Sequence, residues 1–151
     1  MFLYHSDEVS ALFRYAQLRH STRVRIGGRR LQGERTYEPC VIALEDFKKD
    51  EYIWELSGTY SSDVTESPAG YPVQWLVGPA RLCSHRCRGN SVFVSLPNGP
   101  GTVSRTIEDI KAGEEITAQY RYHRCHCEAC TETPVEYLGL PTSPRPASST
   151  R

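Results

Sequence analysis

Three cysteines, Cys125, Cys127 and Cys130, lie within six positions near the C-terminus. Three thiolates in one tight turn suit a tetrahedral zinc ion with sulfur ligands, but they leave one corner of the tetrahedron empty. The alternative is a set of three reduced, buried cysteines. The candidates for a fourth ligand from another segment are Cys87, Cys83, His85, His123 and His126. The spacing therefore predicts a zinc site that a distant part of the chain completes.

Two other cysteines, Cys40 and Cys83, stand alone among apolar residues. An unligated cysteine behaves as a small hydrophobic residue and is often fully buried. We therefore expect both thiols to be reduced and to lie in the core.

Two further segments could do chemistry. The segment Gly78–Asn90 is rich in small, polar and histidine residues and precedes an apolar run that reads as a strand. The segment Gly113–Tyr120 has a polar turn that feeds a short strand ending in a tyrosine. Each of these patterns is weak alone, and their order along the chain, with the cysteine cluster just beyond, carries more information.

In that order, the three segments resemble the SET domain of protein-lysine methyltransferases. The signatures of that family are Arg-Phe-x-Asn-His-x-Cys-x-Pro-Asn, then Gly-Glu-Glu-(Ile/Leu)-Thr-x-x-Tyr, then a post-SET cysteine cluster. The resemblance covers roughly Glu38–Cys130. Within the family, Trp75–Arg81 and the compact Cys-x-Cys-x-x-Cys look most similar to the branch that methylates the histone H4 tail.

The resemblance implies two cofactors, S-adenosylmethionine and zinc, and a role for each matching residue. Tyr120 corresponds to the active-site tyrosine, which would orient the substrate amine; the alternative is a tyrosine that packs on the core with a solvated tip. The residues implied on the cofactor side are Arg81, Ser84 and His85, and a purely structural role for His85 is equally open. The implied zinc ligands are Cys87, Cys125, Cys127 and Cys130.

This chain departs from the family pattern at two cofactor positions. Ser84 stands where the family has an asparagine, and a hydroxyl cannot act as both amide donor and carbonyl acceptor. Glu38, Pro39 and Cys40 stand where the family has Gly-x-Gly.

The main functional hypothesis, which follows from the resemblance, is an S-adenosylmethionine-dependent protein-lysine N-methyltransferase acting on a histone tail. The alternative is a weakened or inactive SET-like, zinc-stapled protein-binding module.

The elements that must position these residues are mostly short strands. Ser6 can cap a helix from about Asp7 to Arg19, because Val9, Leu12, Phe13 and Ala16 follow at helical spacing. Short β-like runs follow, bounded by turn residues. They are Val24–Ile26, Cys40–Leu44, Tyr52–Leu56, Val73–Val77, Ser91–Leu96, Thr102–Thr106 and Ile116–Tyr120.

The fold class that follows from the resemblance is mainly β: a SET fold of small curved sheets around a threaded C-terminal segment, with a short N-terminal helix. The expected divisions are 1–36 (N-terminal helix and linker), 37–121 (SET domain), 122–140 (post-SET zinc segment) and 141–151 (disordered tail). Gly58–Pro72 reads as a surface insertion or a substrate-facing loop, because it is polar and contains glycine, proline and serine. Glu45–Ile53 resembles Glu108–Ile116, which predicts two hairpin-like units with the same turn chemistry.

Charge and composition narrow the class of protein. The chain has 18 Lys and Arg against 18 Asp and Glu, so its net charge is zero, which disfavours a nucleic-acid-binding module. It has no long apolar run and no signal-peptide pattern at its start, so we expect no membrane partner and an intracellular protein. The expected partner is a histone or another lysine-bearing protein in chromatin, and the expected location is the nucleus and chromosome. Locally acidic pairs, Glu45–Asp46 and Glu114–Glu115, could attract a basic tail.

Overall fold

A computed structural model describes residues 15–66, 72–97, 101–119 and 132–138. Residues 15–19 are helical, which agrees with the end of the predicted N-terminal helix; the rest of that helix and the predicted 141–151 tail lie outside the described residues. The described strands are β1 (Val24–Leu31), β2 (Glu38–Ala43), β3 (Tyr52–Glu66), β4 (Pro72–Val77), β5 (Ser84–His85), β6 (Ser91–Ser95), β7 (Gly101–Thr106), β8 (Glu115–Ala118) and β9 (Val135–Leu138). A 3-10 helix spans Pro79–Leu82.

The strands follow the order β4-β3-β7-β6-β8-β2-β1-β9, and β5 pairs with β8 outside this path. Most neighbours are antiparallel, but β8 runs parallel to both β5 and β6. The short strand β8 therefore lies between one antiparallel neighbour, β2, and two parallel ones. No helix in the described part of the chain is long and apolar enough to cross a membrane.

The two similar segments, Glu45–Ile53 and Glu108–Ile116, pair with each other. Phe47 and Ile110 exchange both backbone hydrogen bonds, at 2.7 and 2.9 Å. The first segment connects β2 to β3 and the second connects β7 to β8, while β2 pairs with β8 and β3 with β7. The predicted strand–turn–strand pattern is confirmed. The hairpin interpretation was wrong, because the two strands that each turn connects do not pair with each other. Instead, β2 pairs with β8, and β3 pairs with β7.

The same reciprocity extends to the side chains of the two turns. The Asp46 carboxylate accepts a hydrogen bond from the Ala112 amide, and the Asp109 carboxylate accepts one from the Lys49 amide, both at 2.9 Å. Asp50 has a φ of 66° and its counterpart Gly113 a φ of 89°, so both turns need the left-handed conformation at the same position. Glycine adopts this conformation at no steric cost, and aspartate tolerates it better than most residues.

The hydrophobic core lies where the paired turns meet the sheet. Phe47 and Ile110 are 1% and 0% exposed, so the backbone pairing between the turns is completed by side-chain burial. Leu18 from the N-terminal helical segment reaches the same cluster. The other buried members are Val24, Val41, Ala43, Ile53, Leu56, Cys83, Ile116 and Ala118.

Strand β1 does not end at the glycine pair, as the sequence predicted, but continues through Gly27 and Gly28 to Leu31. Close packing explains why glycine is accepted inside this strand. A Cβ atom at Gly27 would lie 3.1 Å from Cγ1 of Ile42, and one at Gly28 would lie 3.3 Å from Cβ of Leu138. These glycines mark close approach of neighbouring strands, which is the other common reason for glycine in a strand.

The predicted surface loop Gly58–Pro72 was also wrong in most of its length. Strand β3 runs to Glu66 and β4 begins at Pro72, with backbone pairing from Thr59↔Val77 to Glu66↔Pro72 and a bulge between Tyr60 and Val64. Polar composition suggested a loop, whereas pairing at a sheet edge satisfies the backbone and leaves side chains free to be polar. The sequence also missed β5 and β9, which are only two and four residues long.

The paired turns predict a specific response to acid. Hydrogen bonds from backbone amides, and then the nearby lysines, hold the pKa values of Asp46 and Asp109 below the ordinary 3.8. A carboxylate with a lowered pKa in the folded state stabilises that state above its unfolded pKa, and this contribution is lost as pH falls through the folded pKa. The double variant Asp46→Asn/Asp109→Asn should therefore be less stable than wild type near pH 6, and the difference should shrink below about pH 4.

Urea unfolding of both proteins at several pH values between 3 and 6 measures this difference. Replacement of the exposed Glu108 by glutamine is the control, because it removes one carboxylate from the same turn. A stability difference that stays constant across the whole range would contradict the proposed role of the two aspartates.

Candidate active site

The candidate site is a fork in the sheet beside β8. Strand β8 pairs with β2 through Val41↔Ile116, but Thr117 and Ala118 pair with Ser84 and His85 of β5. The amide of Gln119 donates to Ser91 of β6 at 3.3 Å, while the carbonyl of Ala118 accepts from Arg86 at 3.0 Å. The Ala118 carbonyl and the Gln119 amide point to opposite edges of β8, so β5 and β6 lie on opposite edges of this strand. Strand β2 also lies opposite β6, so β2 and β5 share one edge of β8. The N-terminal half of β2 and strand β5 are therefore the two arms of a fork that opens where β8 changes partner.

The sequence-predicted cofactor residues occupy the β5 arm and its approach. Ser84 and His85 are both half-buried and lie in register with the end of β8. Arg81 is exposed at the end of the 3-10 helix, where its guanidinium lies 5.8 Å from the centre of the Tyr15 ring. The Tyr15 hydroxyl also donates to the Gly78 carbonyl at 3.2 Å. Arg81 thus contacts the N-terminal helical segment, while Ser84 and His85 form the arm itself.

Asn90 ties the loop that carries these residues to β8. Its side-chain amide donates to the Glu115 carbonyl at 2.8 Å, and its side-chain oxygen accepts from the Thr117 amide at 2.9 Å. The Ser91 hydroxyl adds a hydrogen bond to the Thr117 carbonyl at 2.7 Å. Asn90 is 6% exposed and joins its own loop to the backbone of β8.

The β2 arm carries the departure from the family pattern. Glu38 and Pro39 are exposed, and they pair with Arg29 and Gly28 of β1. Proline has no backbone N–H, so this arm offers one hydrogen-bond donor fewer than a Gly-x-Gly would. An open groove of about 410 Å³ runs along this arm. Its lining residues are Ile26, Gly27, Gly28, Tyr37, Glu38, Pro39 and Leu138.

The three described cysteines divide as the sequence predicted. Cys40 and Cys83 are fully buried and reduced, whereas Cys87 is exposed. Burial, and after it the negative charge of Glu115, raises the pKa of Cys40 to about 12, and the same two causes raise the pKa of Cys83. A metal binds the thiolate form, so Cys83 is a poor fourth ligand.

Cys87 has the accessibility that a zinc ligand requires. Its sulfur lies 3.5 Å from Nε2 of His85. Tyr120, Cys125, Cys127 and Cys130 lie outside the described residues, so their predicted roles stay predictions. Across the described residues alone, no three His, Cys, Asp or Glu side chains form a metal-binding group.

A buried polar network lies beside the β2 arm, and the sequence analysis missed it. Arg29 Nε lies 3.0 Å from Glu115 Oε1, and the Tyr137 hydroxyl donates to Glu115 Oε2 at 2.6 Å. The side chains of Arg29 and Glu115 are 8% and 1% exposed. The expectation that Glu115 contributes to an acidic surface was therefore wrong, because its charge is paired inside the protein. One sequence feature could have indicated the burial of Glu115. This glutamate is the first residue of the short strand β8, and all four residues of that strand are buried.

Three arginines near the N-terminus form ion pairs with glutamates. Arg23 lies 3.2 Å from Glu45 and 3.6 Å from Glu55, Arg29 pairs with Glu115, and Arg30 lies 2.8 Å from Glu136.

Part of the chain matches a known family. Residues 59–121 match the family model of the SET domain. This range contains β5, β8 and the Asn90 bridge, and with the mainly β architecture it confirms the predicted SET fold.

Two curated relatives are fungal histone-lysine N-methyltransferases. The protein named SET9 from Yarrowia lipolytica is 35% identical over 124 residues, which cover 69% of this chain and 14% of that protein. The protein named set9 from Schizosaccharomyces pombe is 32% identical over 108 residues, which cover 62% of this chain and 24% of that protein. The chain thus spans about a quarter or less of the length of these relatives.

A solved structure, the methyltransferase domain of human PR domain-containing protein 2, is also similar. It has 15% sequence identity and a TM-score of 0.47, with coverage of 74% of this chain and 86% of that chain.

The bridging role of Asn90 predicts a large loss of stability on truncation. Asn90→Ala removes two hydrogen bonds and leaves the Glu115 carbonyl and the Thr117 amide without this partner in a buried place. The free energy of unfolding should fall by about 2 kcal/mol or more. Gln119→Ala is the control, since that side chain is exposed beside the same strand. Equal midpoints of chemical unfolding for the two variants would contradict the bridging role.

Proposed function

We propose that this chain is the catalytic domain of an S-adenosylmethionine-dependent protein-lysine N-methyltransferase. The observation that carries the proposal is the fork: β5, with Ser84 and His85, runs beside the end of β8, one residue before Gln119 and two before Tyr120. The fork lies inside the range that matches the SET domain. The place where neighbouring strands of a sheet diverge leaves a crevice in which a small molecule can bind.

The residues of the fork fit the cofactor chemically. S-adenosylmethionine, when bound, supplies a methyl group attached to a positively charged sulfur. The half-buried Ser84 hydroxyl and the backbone of β5 would provide hydrogen bonds on one side, and Glu38 would provide a carboxylate on the other. Gly28, which lies opposite Pro39, adds no side chain to the groove along this arm.

Methyl transfer to an amine requires little acid–base machinery, and positioning supplies most of the rate. A free lysine has a pKa of about 10.4, and burial disfavours the charged ammonium, so an enclosed channel promotes the neutral amine that reacts. Tyr120 would orient that amine through its hydroxyl. Its place directly after β8 supports this role, because Asn90 and Ser91 hold the backbone of that strand.

A zinc ion held by Cys87, Cys125, Cys127 and Cys130 is the second part of the proposal. The exposure of Cys87 supports it, as does the burial of Cys83, which was the competing cysteine. The ion would connect the β5 loop to the segment that follows Tyr120. Zinc binding of this kind contributes directly to folding free energy.

The proposed substrate is a histone tail of the H4 type, and the proposed location is chromatin in the nucleus. The relatives named as histone-lysine N-methyltransferases support a histone, and Trp75–Arg81 with the compact cysteine spacing supports the H4 branch. Of the predicted acidic residues, Glu45 and Asp46 are exposed but pair with Arg23 and Lys111, so they add little to the attraction of a basic tail. The expected partners are the lysine-bearing tail and chromatin, without sequence-specific nucleic-acid contacts.

A second candidate function is a SET-like protein-binding module with weak or no transfer activity. Two features of the fork favour it. Ser84 replaces an amide side chain, and Pro39 removes a backbone donor on the opposite arm. In that case the fold and the zinc site would persist without cofactor affinity.

The first test compares wild type with Tyr120→Phe. This substitution removes one oxygen, so the free energy of unfolding should change by no more than about 1 kcal/mol. Transfer of radiolabelled methyl groups to a histone mixture should fall by more than about tenfold, because a misoriented amine loses the in-line geometry. Tyr122→Phe is the matched control and should keep wild-type activity.

Three other results of this experiment would each change the proposal. If wild type binds the cofactor but labels no histone, the substrate assignment is wrong. If it neither binds nor labels, the binding-module function is correct. Activity that falls in Tyr122→Phe instead of Tyr120→Phe would move the catalytic role by two positions.

The zinc proposal predicts different effects for two cysteines of one loop. Cys87→Ser should lose most of the one zinc equivalent per chain, because serine does not replace a thiolate ligand. Cys83→Ala should keep the full equivalent, because the Cys83 thiol is buried in the core. Metal analysis of the purified proteins decides between them. Full zinc in Cys87→Ser, or loss of zinc in Cys83→Ala alone, would reassign the fourth ligand.

A further inference from the structure

The network of Arg29, Glu115 and Tyr137 joins three strands that are not all neighbours. Glu115 lies on β8, Arg29 on β1 and Tyr137 on β9, and β2 lies between β8 and β1 in the sheet. The contacts of 3.0 and 2.6 Å therefore reach across β2. The intervening residues are small, since Gly27 pairs with Cys40 at this point. A larger side chain at Gly27 would meet Ile42 and Cys40 and close this space.

Backbone hydrogen bonds alone do not set the spacing of the two arms of the fork. Beyond Val41, β2 has no ladder partner on β8 in the described structure, and its residues 38–40 pair only with β1. The opposite arm, β5, is attached to β8 through Ser84 and His85. The position of the β2 arm relative to β5 therefore depends in part on how β1 is joined to β8. Besides the β2 ladder, the Arg29–Glu115 ion pair joins these two strands directly.

Tyr137 adds a third anchor to this connection. Its backbone pairs with Arg29, and its hydroxyl takes the second oxygen of the Glu115 carboxylate. Both oxygens of Glu115 are thus engaged, one by β1 and one by β9. A buried carboxylate with both oxygens held has a defined orientation, because any rotation would break one of the two contacts.

We propose that Glu115, Arg29 and Tyr137 are positioning residues that set the spacing of the fork and, through it, the affinity for the cofactor. This inference rests on the proposed function, because it takes the fork as the S-adenosylmethionine site. None of the three residues is required to touch the cofactor. Their effect is to hold the β2 arm, with Glu38 and Pro39, at a fixed distance from Ser84 and His85 on the β5 arm.

The test uses Tyr137→Phe, because this change removes one hydroxyl and leaves the buried ion pair in place. Tyr60→Phe is the matched control, since Tyr60 is an exposed tyrosine on β3. Two measurements are made on the full chain with its metal: calorimetric titration with S-adenosylmethionine, and hydrogen–deuterium exchange without cofactor. The zinc content of each variant is measured as well, so that a metal effect is recognised.

In Tyr137→Phe, the dissociation constant for S-adenosylmethionine should rise about fivefold, the effect of one net hydrogen bond. The Michaelis constant for the cofactor should rise in parallel, while kcat at saturating cofactor stays within about twofold of wild type. The amides of Glu38, Cys40 and residues 84–86 should exchange at least about threefold faster, and those of the β6–β7 ladder should keep the wild-type rate.

Three other results are possible, and each leads to a different conclusion. Unchanged exchange in both arms, relative to Tyr60→Phe, would overturn the inference whatever the cofactor does. Faster exchange with unchanged cofactor affinity would also overturn it, because spacing would then not control binding. If wild type does not bind the cofactor but Tyr137→Phe loosens both arms, the proposed function fails while the spacing role stands.

Discussion

Strand β8 is four residues long and is hydrogen-bonded to three other strands, β2, β5 and β6. It pairs with β2 at Ile116, with β5 at Thr117 and Ala118, and with β6 at Ala118. Asn90 adds side-chain hydrogen bonds to its backbone at Glu115 and Thr117. A strand with so many partners cannot shift register without breaking several buried hydrogen bonds at once. This constraint gives the end of β8 a fixed position in the fold.

The paired turns supply the frame into which β8 fits. Phe47 and Ile110 join the β2–β3 connection to the β7–β8 connection, so the two halves of the fold meet through backbone hydrogen bonds and a shared core. Each turn also places a carboxylate on an amide of the other turn. The contacts are reciprocal, so loss of one turn would remove partners from the other. The position where β8 begins is thereby tied to the position where β3 begins.

The charged residues of the site divide into two kinds. Asp46 and Asp109 are exposed and act on neighbouring amides and lysines, so they contribute modestly and depend on salt and pH. Arg29 and Glu115 are buried, and two buried charges are costly unless each is well paired. A hydrophobic pair of the same volume could be as stable, so the retained ion pair is better explained by geometry than by stability. It joins strands that share no ladder hydrogen bonds.

Local sequence patterns predicted several features of the fold and of the candidate site. Resemblance to a known family marked β5 and β8, through the segments Ser-His-x-Cys and Gly-Glu-Glu-Ile-Thr. The burial of Cys40 and Cys83 also followed from their apolar neighbours. The turn–strand pattern around Phe47 and Ile110 was visible as a weak repeat, although its pairing was not.

Those patterns did not predict which distant segments of the chain pair with each other. The strand from Thr59 to Glu66 looks like a loop in composition, and it becomes a strand because β4 and β7 offer their backbone edges. Gly27 and Gly28 look like a turn, and they are strand residues because Ile42 and Leu138 pack directly against them. Glu115 looks like a surface residue, and it is buried because Arg29 and Tyr137 come to it from distant parts of the chain. In each case the free energy that decides the outcome comes from a partner far away in sequence, and a local pattern contains no information about that partner.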